Sequence, residues 1–263
     1  MRLLVYTAVF GDYDRVYPPV EADPEIDYVI ITDDPDMQVH GWTTRAVDAG
    51  AFATPKAANL YHRALIHRIL PGYDASIYVD GNIRVLGSTR ALFRSFLAAG
   101  KAVGTFPHPL RKNVAEEVES CIQNKKAEGA ERLRQEYQAY LESGFDDHVG
   151  LFETGVLLKN HKVIELDTAM ECWNACFAAY RLRDQVSLPY ALWRSGVEPH
   201  RMNFNFRERN PYFGIYPHKR GRDVNPIYAH VYARSYDSWV YAGILRAWQL
   251  FWSVKRLLRG SGR

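Results

Sequence analysis

The chain has 263 residues, of which 47% are hydrophobic and 24% charged, with a net charge of +3 at pH 7. That length and balance support a sizeable folded core and exclude an intrinsically disordered chain. The mild charge leaves no electrostatic footprint for nucleic acid, so none is expected as a partner, and no run approaches the ~20 apolar residues of a membrane-spanning helix. Aromatic residues make up 13%, 17 of them tyrosines, a supply of flat faces that sugar- and base-binding clefts use and that cores also use.

In chain order, Leu3–Phe10 reads as a first buried strand. Its opening charge and apolar run resemble a short signal peptide. They lack a small-residue cleavage site and run directly into Gly11-Asp-Tyr-Asp14, so the strand is preferred. Tyr28–Thr32 is a second strand, stopped by Asp33-Asp34-Pro35. Pro55–Leu70 has helical periodicity, with Ala57, Leu60, Tyr61, Ala64 and Leu65 on one face, and Pro71-Gly-Tyr-Asp74 ends it. A strand leading to Asp80 follows, then a helix capped by Ser88 and running through Leu97, then a strand over Ala102–Phe106. This β-α-β rhythm predicts a mainly parallel sheet with helices on both faces. Ligands of such sheets sit at the strands' carboxyl ends, where Thr7, Asp33 and Asp80 would emerge.

Asn113 and Glu116 form a capping-box pattern, and Val114–Ser143 is charged and helical, with a break near Gly129. Leu151–Leu158 returns to strand character and Val163–Ser195 to helix. His200–Phe206 and Ile227–Val231 are expected to be two further strands. The three cysteines, Cys121, Cys172 and Cys176, form no CxxC pair. They read as small buried thiols in a reducing compartment, so a cytoplasmic location is expected. Residues 239–258 set Trp239, Ile244, Leu245, Trp248, Phe251, Trp252 and Leu258 among Arg246, Lys255 and Arg256, with Arg259 following. That composition fits an interfacial helix peripheral on the membrane face with an anionic surface as partner, a helix packed across the domain with a basic tip, or a calmodulin-type target.

The most informative segment is Ala75-Ser-Ile-Tyr-Val-Asp-Gly-Asn-Ile-Arg-Val85. A buried strand ends in Asp80-Gly81-Asn82, presenting two oxygen-bearing side chains with a glycine between them. Oxygen ligands suit Mg2+ or Mn2+, and a small residue lets a diphosphate approach closely. Read alone, Asp-Gly-Asn is also ordinary turn chemistry.

Four patterns then occur in order: Tyr78-Val-Asp-Gly-Asn82, Leu151-Phe-Glu-Thr-Gly-Val-Leu-Leu-Lys-Asn160, Arg183-Asp-Gln185, and Ile227-Tyr-Ala-His230 with Trp239 beyond it. This order resembles the GT-A-type retaining glycosyltransferases that include glycogenin and bacterial lipopolysaccharide galactosyltransferases. Those carry Asp-x-Asp, Phe-Asn-(Ser/Ala)-Gly-Val, Asp-Gln, and a late histidine with Lys-Pro-Trp. The opening Val5-Tyr-Thr-Ala-Val-Phe-Gly-Asp-Tyr-Asp14 and the stretch Asp27-Tyr-Val-Ile-Ile-Thr-Asp-Asp34 are also informative. With Phe106-Pro-His-Pro109 and Arg183-Asp-Gln-Val-Ser-Leu-Pro189, they are similar to glycosyltransferase domains of bacterial surface-polysaccharide clusters and plant cell-wall polysaccharide synthesis.

The resemblance implies an α/β, Rossmann-like GT-A domain over residues 1–237 with a mostly parallel central sheet, and a basic aromatic helical tail over residues 238–263. It also implies a nucleoside-diphosphate-sugar donor, uridine-linked, a glycan or lipid-linked acceptor, and a divalent metal, Mn2+ or Mg2+. Asp80 would be the main ligand, with Asn82 as a neutral carbonyl and His230 as the third. Thr7 and Tyr13 would hold the base, Asp33 the base or ribose, and Lys56 and Asn59 the diphosphate. Thr154 would lie in the donor site. Asp184 would bond sugar hydroxyls, and Gln185 would lie under the anomeric carbon.

The chain departs from the pattern at several positions. Asn82 removes a negative charge from the metal motif. Glu153 replaces asparagine and is open to three roles: second ligand, hydroxyl acceptor or catalytic carboxylate. Tyr236-Asp-Ser-Trp239 replaces Lys-Pro-Trp, which leaves Lys56, Lys219, Arg220 and Arg234 as candidates for phosphate neutralisation. The expected activity is metal-dependent hexosyl transfer in surface polysaccharide synthesis, by front-face substitution with retention. A double displacement through Glu153 or Asp184, or inversion, stays open. Alternatives are a non-catalytic nucleotide-sugar or glycan-binding module of the same fold, and a hydrolase acting through Glu153 and Asp184.

Overall fold

The computed structural model describes residues 1–123, 129–219, 226–236 and 238–260. In chain order the first half contains β1 (Leu3–Val9), β2 (Ile26–Thr32), β3 (Thr43–Ala46), α1 (Pro55–Ala64), α2 (Ile66–Ile69), β4 (Ala75–Val79), β5 (Ile83–Val85), α3 (Arg90–Ala98) and β6 (Val103–Pro107). After these come α4 (Val114–Gln123), α5 (Ala130–Glu142), β7 (Phe152–Asn160), α6 (Glu165–Tyr180) and α7 (Asp184–Arg194). The chain continues through β8 (His200–Arg201), β9 (Phe213–Ile215), α8 (Pro226–Arg234) and α9 (Trp239–Gly260).

A seven-stranded sheet runs in the order β3-β2-β1-β4-β7-β6-β8, and β5 pairs with β9 beside it. The pairs β1–β2, β1–β4, β2–β3 and β6–β8 are parallel, whereas β7 runs antiparallel to both β4 and β6. The expected α/β class with a mostly parallel central sheet, flanking helices and a C-terminal helix is therefore correct. Every residue of β1, β4 and β7 is buried, as strands covered on both faces must be. Alternate residues of β1 divide between two cores. Leu4, Tyr6 and Ala8 pack with α1, α6 and α7, while Leu3 and Val5 pack with α3 on the opposite face.

The antiparallel insertion of β7 positions the site. Tyr6 stands level with Tyr78, so β1, which ends at Val9, runs two residues past the end of β4 at Val79. Val79 pairs with Val156, and the Asp80 amide donates to the Gly155 carbonyl at 2.8 Å. The start of β7, with Glu153 and Thr154, thus lies beside the carboxyl end of β4.

Helix α1 begins where Thr54 accepts a hydrogen bond from the Ala57 amide at 3.1 Å and Pro55 supplies a preset φ at the first turn. Leu60, Ala64 and Leu65 are buried as expected, but so are Ala58, His62 and Arg63. The helix lies between the sheet and α6, so its covered arc is wider than a one-sided amphipathic pattern predicts. The break at Gly129 and the Asn113 cap are present, with the Glu116 amide donating to Asn113 Oδ1 at 2.9 Å. Thr89 rather than Ser88 precedes α3. The Ser88 hydroxyl accepts from the Arg90 amide at 3.3 Å and donates to Asp23.

Two strand expectations are corrected. Residues 227–231 lie in α8, because Pro226 begins a helix well and a short apolar run carries no period of its own. Within His200–Phe206 only His200–Arg201 pair as strand. The short strands β3 and β9 were not expected. All three cysteines are free thiols, Cys121 buried and the other two partly buried. Among the described residues no helix is long and apolar enough to cross a membrane.

Glu136 of α5 tests the packing against α6. Its carboxyl is buried, accepts one hydrogen bond from the Tyr140 hydroxyl at 2.6 Å, and leaves Oε2 without a partner. Burial pushes its pKa from 4.5 up to about 7. The folded chain therefore holds a proton that the unfolded chain releases. The resulting stability is full below pH 4.5 and is lost as pH rises to about 7. Urea unfolding across this window should show the stability of wild type falling relative to that of Glu136→Gln by up to about 3 kcal/mol as pH rises from 4.5 to 7. An equal fall in the variant would contradict the assignment.

Candidate active site

Asp80 leaves β4 where β1 ends and β7 begins. The Tyr78 hydroxyl donates to its Oδ1 at 2.8 Å, and Arg63 Nη1 lies 3.6 Å from the same oxygen. Burial pushes the Asp80 carboxyl upward, and Asp184 and Asp14 add to this, while Arg63 and Tyr78 oppose it. Gly81 is required by close approach, since a Cβ there would sit 2.7 Å from Val9 Cγ2 and 2.9 Å from Asp14 Cβ. Gly155 gives Asp80 its space, because a Cβ would stand 3.0 Å from Oδ2. Asn82 is buried, with its amide nitrogen donating to the Tyr216 carbonyl at 2.7 Å, and so it also fastens β5 to the segment after β9.

Arg63 reaches this point from α1. Its Nη2 donates to Asp184 Oδ2 at 2.6 Å and its Nη1 to the Thr154 carbonyl at 3.3 Å. The Thr154 hydroxyl donates to the same Asp184 oxygen at 2.9 Å. The guanidinium lies 5.2 Å from the ring centroids of both Tyr78 and Trp173, and the Trp173 indole donates to the Asp184 carbonyl at 3.1 Å. Burial opposes ionisation of Asp184, but Arg63, Arg183 and Lys56 outweigh it and hold the carboxyl well below the usual carboxylate range. Lys56 Nζ donates to the Leu182 carbonyl, just ahead of α7. Asn59 donates to the Ala8 carbonyl and, at 3.4 Å, to the Tyr78 hydroxyl, so it braces the strand end. Behind Arg63, the fully buried Lys159 donates to the Tyr6 hydroxyl at 2.7 Å and to the Arg63 carbonyl. Burial and the neighbouring Arg63 pull the Lys159 pKa well below that of a free lysine.

Glu153, also buried, is clamped by Arg207 through two bonds of 2.8 and 2.7 Å. Gln185 Nε2 donates to it at 3.5 Å and His108 Nε2 stands 3.8 Å away. The register of β6 against β7 shifts between Gly104 and Phe106, opposite Glu153, and the Thr105 hydroxyl there donates to the Glu153 carbonyl at 2.8 Å. Such bulges re-aim side chains beside functional sites. Arg183 donates to Gln185 Oε1 and, at 3.0 Å, to Glu117, fixing the amide.

At the first strand end Asp14 is buried and accepts from His218 Nδ1 at 2.9 and 3.0 Å and from the Lys219 amide at 3.3 Å. The hydrogen bond to Asp14 raises the His218 pKa, with Asp14 and Asp80 adding electrostatically. Tyr13 is exposed, its ring centroid 5.4 Å from that of His218. Asp33 accepts from the Gly11 amide at 3.0 Å and closes the turn after β1. Thr7 does not emerge as expected. It lies within β1, enclosed, with no hydrogen-bond partner for its hydroxyl.

The structure thus brings together Asp80, Thr154, Asp184, Gln185 and Glu153, with Lys56 and Asn59 close by. His230 and Arg234 are placed elsewhere. Both are exposed on α8, flanking Tyr241 of α9 at 5.6 Å between ring centroids and 5.5 Å from guanidinium to ring. Helix formation over residues 227–231 removes the strand end that was to present His230. Arg220 lies outside the described residues. Arg63, Arg207, Asp14 and His218 were not found by sequence reasoning. Arg63 follows Asn59 by one helical turn, and that spacing was its one signal. Among the described residues no three His, Cys, Asp or Glu side chains converge on a point that could hold a metal.

Arg63 is the cation on which the cluster closes. Arg63→Leu removes the closest cation from buried Asp184, leaving Arg183, Lys56 and the Thr154 hydroxyl, and should cost about 3 kcal/mol in urea unfolding. Adding Asp184→Asn should recover part of the loss. A single-variant cost below about 1 kcal/mol would contradict the bridge.

The chain is similar to several known proteins. A curated relative, alkaline ceramidase TOD1 of Arabidopsis thaliana, is 24% identical over 229 residues, which cover 75% of this chain and 49% of the relative. The chain therefore spans about half of that relative's length. Among solved structures, the galactosyltransferase LgtC with donor and acceptor sugar analogues is 15% identical, covering 76% of this chain and 73% of its own, at a TM-score of 0.41. Mouse xyloside xylosyltransferase 1 is 12% identical, covering 73% of this chain and 79% of its own, at a TM-score of 0.37. The model of the TOD1/MUCI70 glycosyltransferase-like domain matches residues 1–217, from β1 through the loop that precedes His218. On that match, which takes in Asp80, Glu153, Thr154, Asp184 and Gln185, the chain belongs to the TOD1/MUCI70 glycosyltransferase-like family.

Proposed function

We propose that the chain is a metal-dependent glycosyltransferase of GT-A type. It takes a sugar from a nucleoside diphosphate, uridine-linked, and transfers it with retention to a glycan or lipid-linked acceptor in surface polysaccharide synthesis. The observation that carries this reading is the junction of Asp80, Arg63, Asp184 and Thr154 at the strand ends. It combines a carboxylate open to a cation with a second carboxylate locked in its ionised form.

Asp80 fits a hard cation. It is an oxygen donor with 34% of its side chain exposed, and Asp184 and Asp14 add negative potential beside it against the positive charge of Arg63. Protein sites for Mg2+-like ions often use one or two carboxylates, with substrate phosphates and water as the other ligands. The reading therefore assigns Asp80, with the neutral carbonyl of Asn82, as the protein's share, and leaves His230 out. Bound Mn2+ or Mg2+ would stabilise charge developing on the leaving diphosphate.

The remaining roles follow from charge. Asp184 stays ionised because Arg63, Arg183 and Lys56 surround it. It is a strong acceptor for sugar hydroxyls and a weak base. Glu153 is held by two bonds from Arg207, so it too is poorly placed to take a proton or attack carbon. Both facts favour front-face substitution, in which a leaving diphosphate oxygen takes the acceptor's proton. Gln185, held by Arg183, supplies a fixed amide beside the reacting centre. Tyr13 and Asp33 lie at the β1 end, where they would meet the base and ribose.

Titration calorimetry with uridine diphosphate, with and without Mn2+, followed by donor turnover, tests the reading. Wild type should bind at least about tenfold more tightly with Mn2+, and Asp80→Asn should lose that gain. Asp184→Asn should keep nucleotide binding and lose about 10²-fold or more in transfer. Metal-enhanced binding without turnover would make the chain a binding module, and donor cleavage that needs no acceptor would make it a hydrolase.

A further inference from the structure

Helices α8 and α9 and the loop Arg207–Arg209 enclose a second cleft of about 610 Å³. Arg207, Arg209 and Arg246 line it, with Tyr232 and Trp239 as aromatic walls, against a single acid, Glu208. Glu208 is already tied to Asn205, whose Nδ2 donates to it at 3.1 Å. Among the described residues neither Arg209 nor Arg246 has an acidic partner. Arg207 is shared: its guanidinium clamps Glu153, and the residue also lines this cleft. A concave surface with unpaired arginines and aromatic walls suits a phosphate group, which arginine binds through paired N–H donors.

The outer side of α9 is apolar. At about 100° per residue, Val240, Ile244, Leu250 and Phe251 fall within an arc of roughly 120°. All four are exposed, Leu250 by 67% and Phe251 by 61%. Leu245, on the opposite side, is buried, and Ala242 and Gln249 on that same side line the cleft. Arg246 and Trp239 stand at the border between the cleft and the apolar stripe. Charge is partitioned in the same direction. Residues 238–263 hold five basic residues and no acidic one, which leaves 28 basic against 30 acidic in residues 1–237. A helix with a basic flank and an apolar stripe lies in the plane of a lipid interface, and anionic headgroups complement its charge.

We propose that this cleft takes the phosphate headgroup of an anionic lipid while the stripe of α9 rests in the same lipid layer. Arg209 and Arg246 hold the phosphate, and Arg207 places it next to Glu153. On the glycosyltransferase reading above, the headgroup is the acceptor end of a phosphate-bearing lipid; lipid binding itself does not depend on that reading.

Flotation of the full chain with vesicles tests this. Wild type should float with phosphatidylcholine vesicles containing phosphatidylglycerol and stay behind with phosphatidylcholine alone. Arg209→Ala with Arg246→Ala should lower the bound fraction about tenfold, and so should Leu250→Ser with Phe251→Ser. Arg246→Glu should abolish binding. A far-ultraviolet circular dichroism spectrum and a urea midpoint matched to wild type show that each variant keeps the fold. Equal flotation on both vesicle types, or arginine variants that float like wild type, would overturn the proposal. Release of wild type by inorganic phosphate at constant ionic strength would instead mark a free-phosphate site and overturn the lipid assignment. Flotation as expected with no nucleotide binding by wild type would leave the lipid site standing and remove its role as an acceptor site.

Discussion

The Arg63 guanidinium, buried between Asp184 and Asp80, is the contact on which the rest of the site depends. Removing a charge from water is costly, and only close opposite charge and satisfied hydrogen bonds repay it. Arg63 gains opposite charge from Asp184, a hydrogen bond to the Thr154 carbonyl and the faces of Tyr78 and Trp173, while its Nε has no hydrogen-bond partner among the described residues. These partners come from β7, β4, α6 and α7, so one side chain fixes the mutual placement of four elements. Of the two carboxylates Asp80 is the more distant from Arg63, at 3.6 Å, and the more open, with 34% of its side chain exposed.

The sheet explains why these residues meet. Parallel β1 and β4 bring Asp80 and the Asp14 turn to one edge, as a doubly wound sheet does. Antiparallel β7 then delivers its own beginning to that edge, so Glu153 and Thr154 arrive next to Asp80. The two carboxylates of the later motifs are each matched by an arginine from a different part of the chain, Arg63 for Asp184 and Arg207 for Glu153. This pairing fixes each of the two buried carboxylates against an arginine from a distant segment.

Much of this was legible in the sequence. The strands of β1, β2, β4 and β7 show as apolar β-branched runs, and the helices of α1 and α4 to α7 show through periodicity and caps. Asp80, Glu153, Thr154, Asp184 and Gln185 were readable because each lies in a local pattern at an element's end. What could not be read depends on contacts between distant segments. Arg63 sits in a helical face that looks solvent-directed until α6 covers it. Asp14 and His218 are 204 residues apart, and no local spacing joins them. The expectation for His230 failed because a short apolar run following Pro226 was assigned as strand when its local chemistry starts a helix. Thr7 was misplaced for a different reason: a position near the end of a strand's pattern was taken for the exposed strand end itself.

On the proposed function, nucleotide sugar binds at the Asp80–Arg63–Asp184 junction. Diffraction from crystals grown with uridine diphosphate and Mn2+ tests this. The expected result is density for the cation on Asp80, with the diphosphate running from it toward the Arg63–Asp184 pair. Nucleotide density confined to another surface, with the β4 strand end empty, would contradict it.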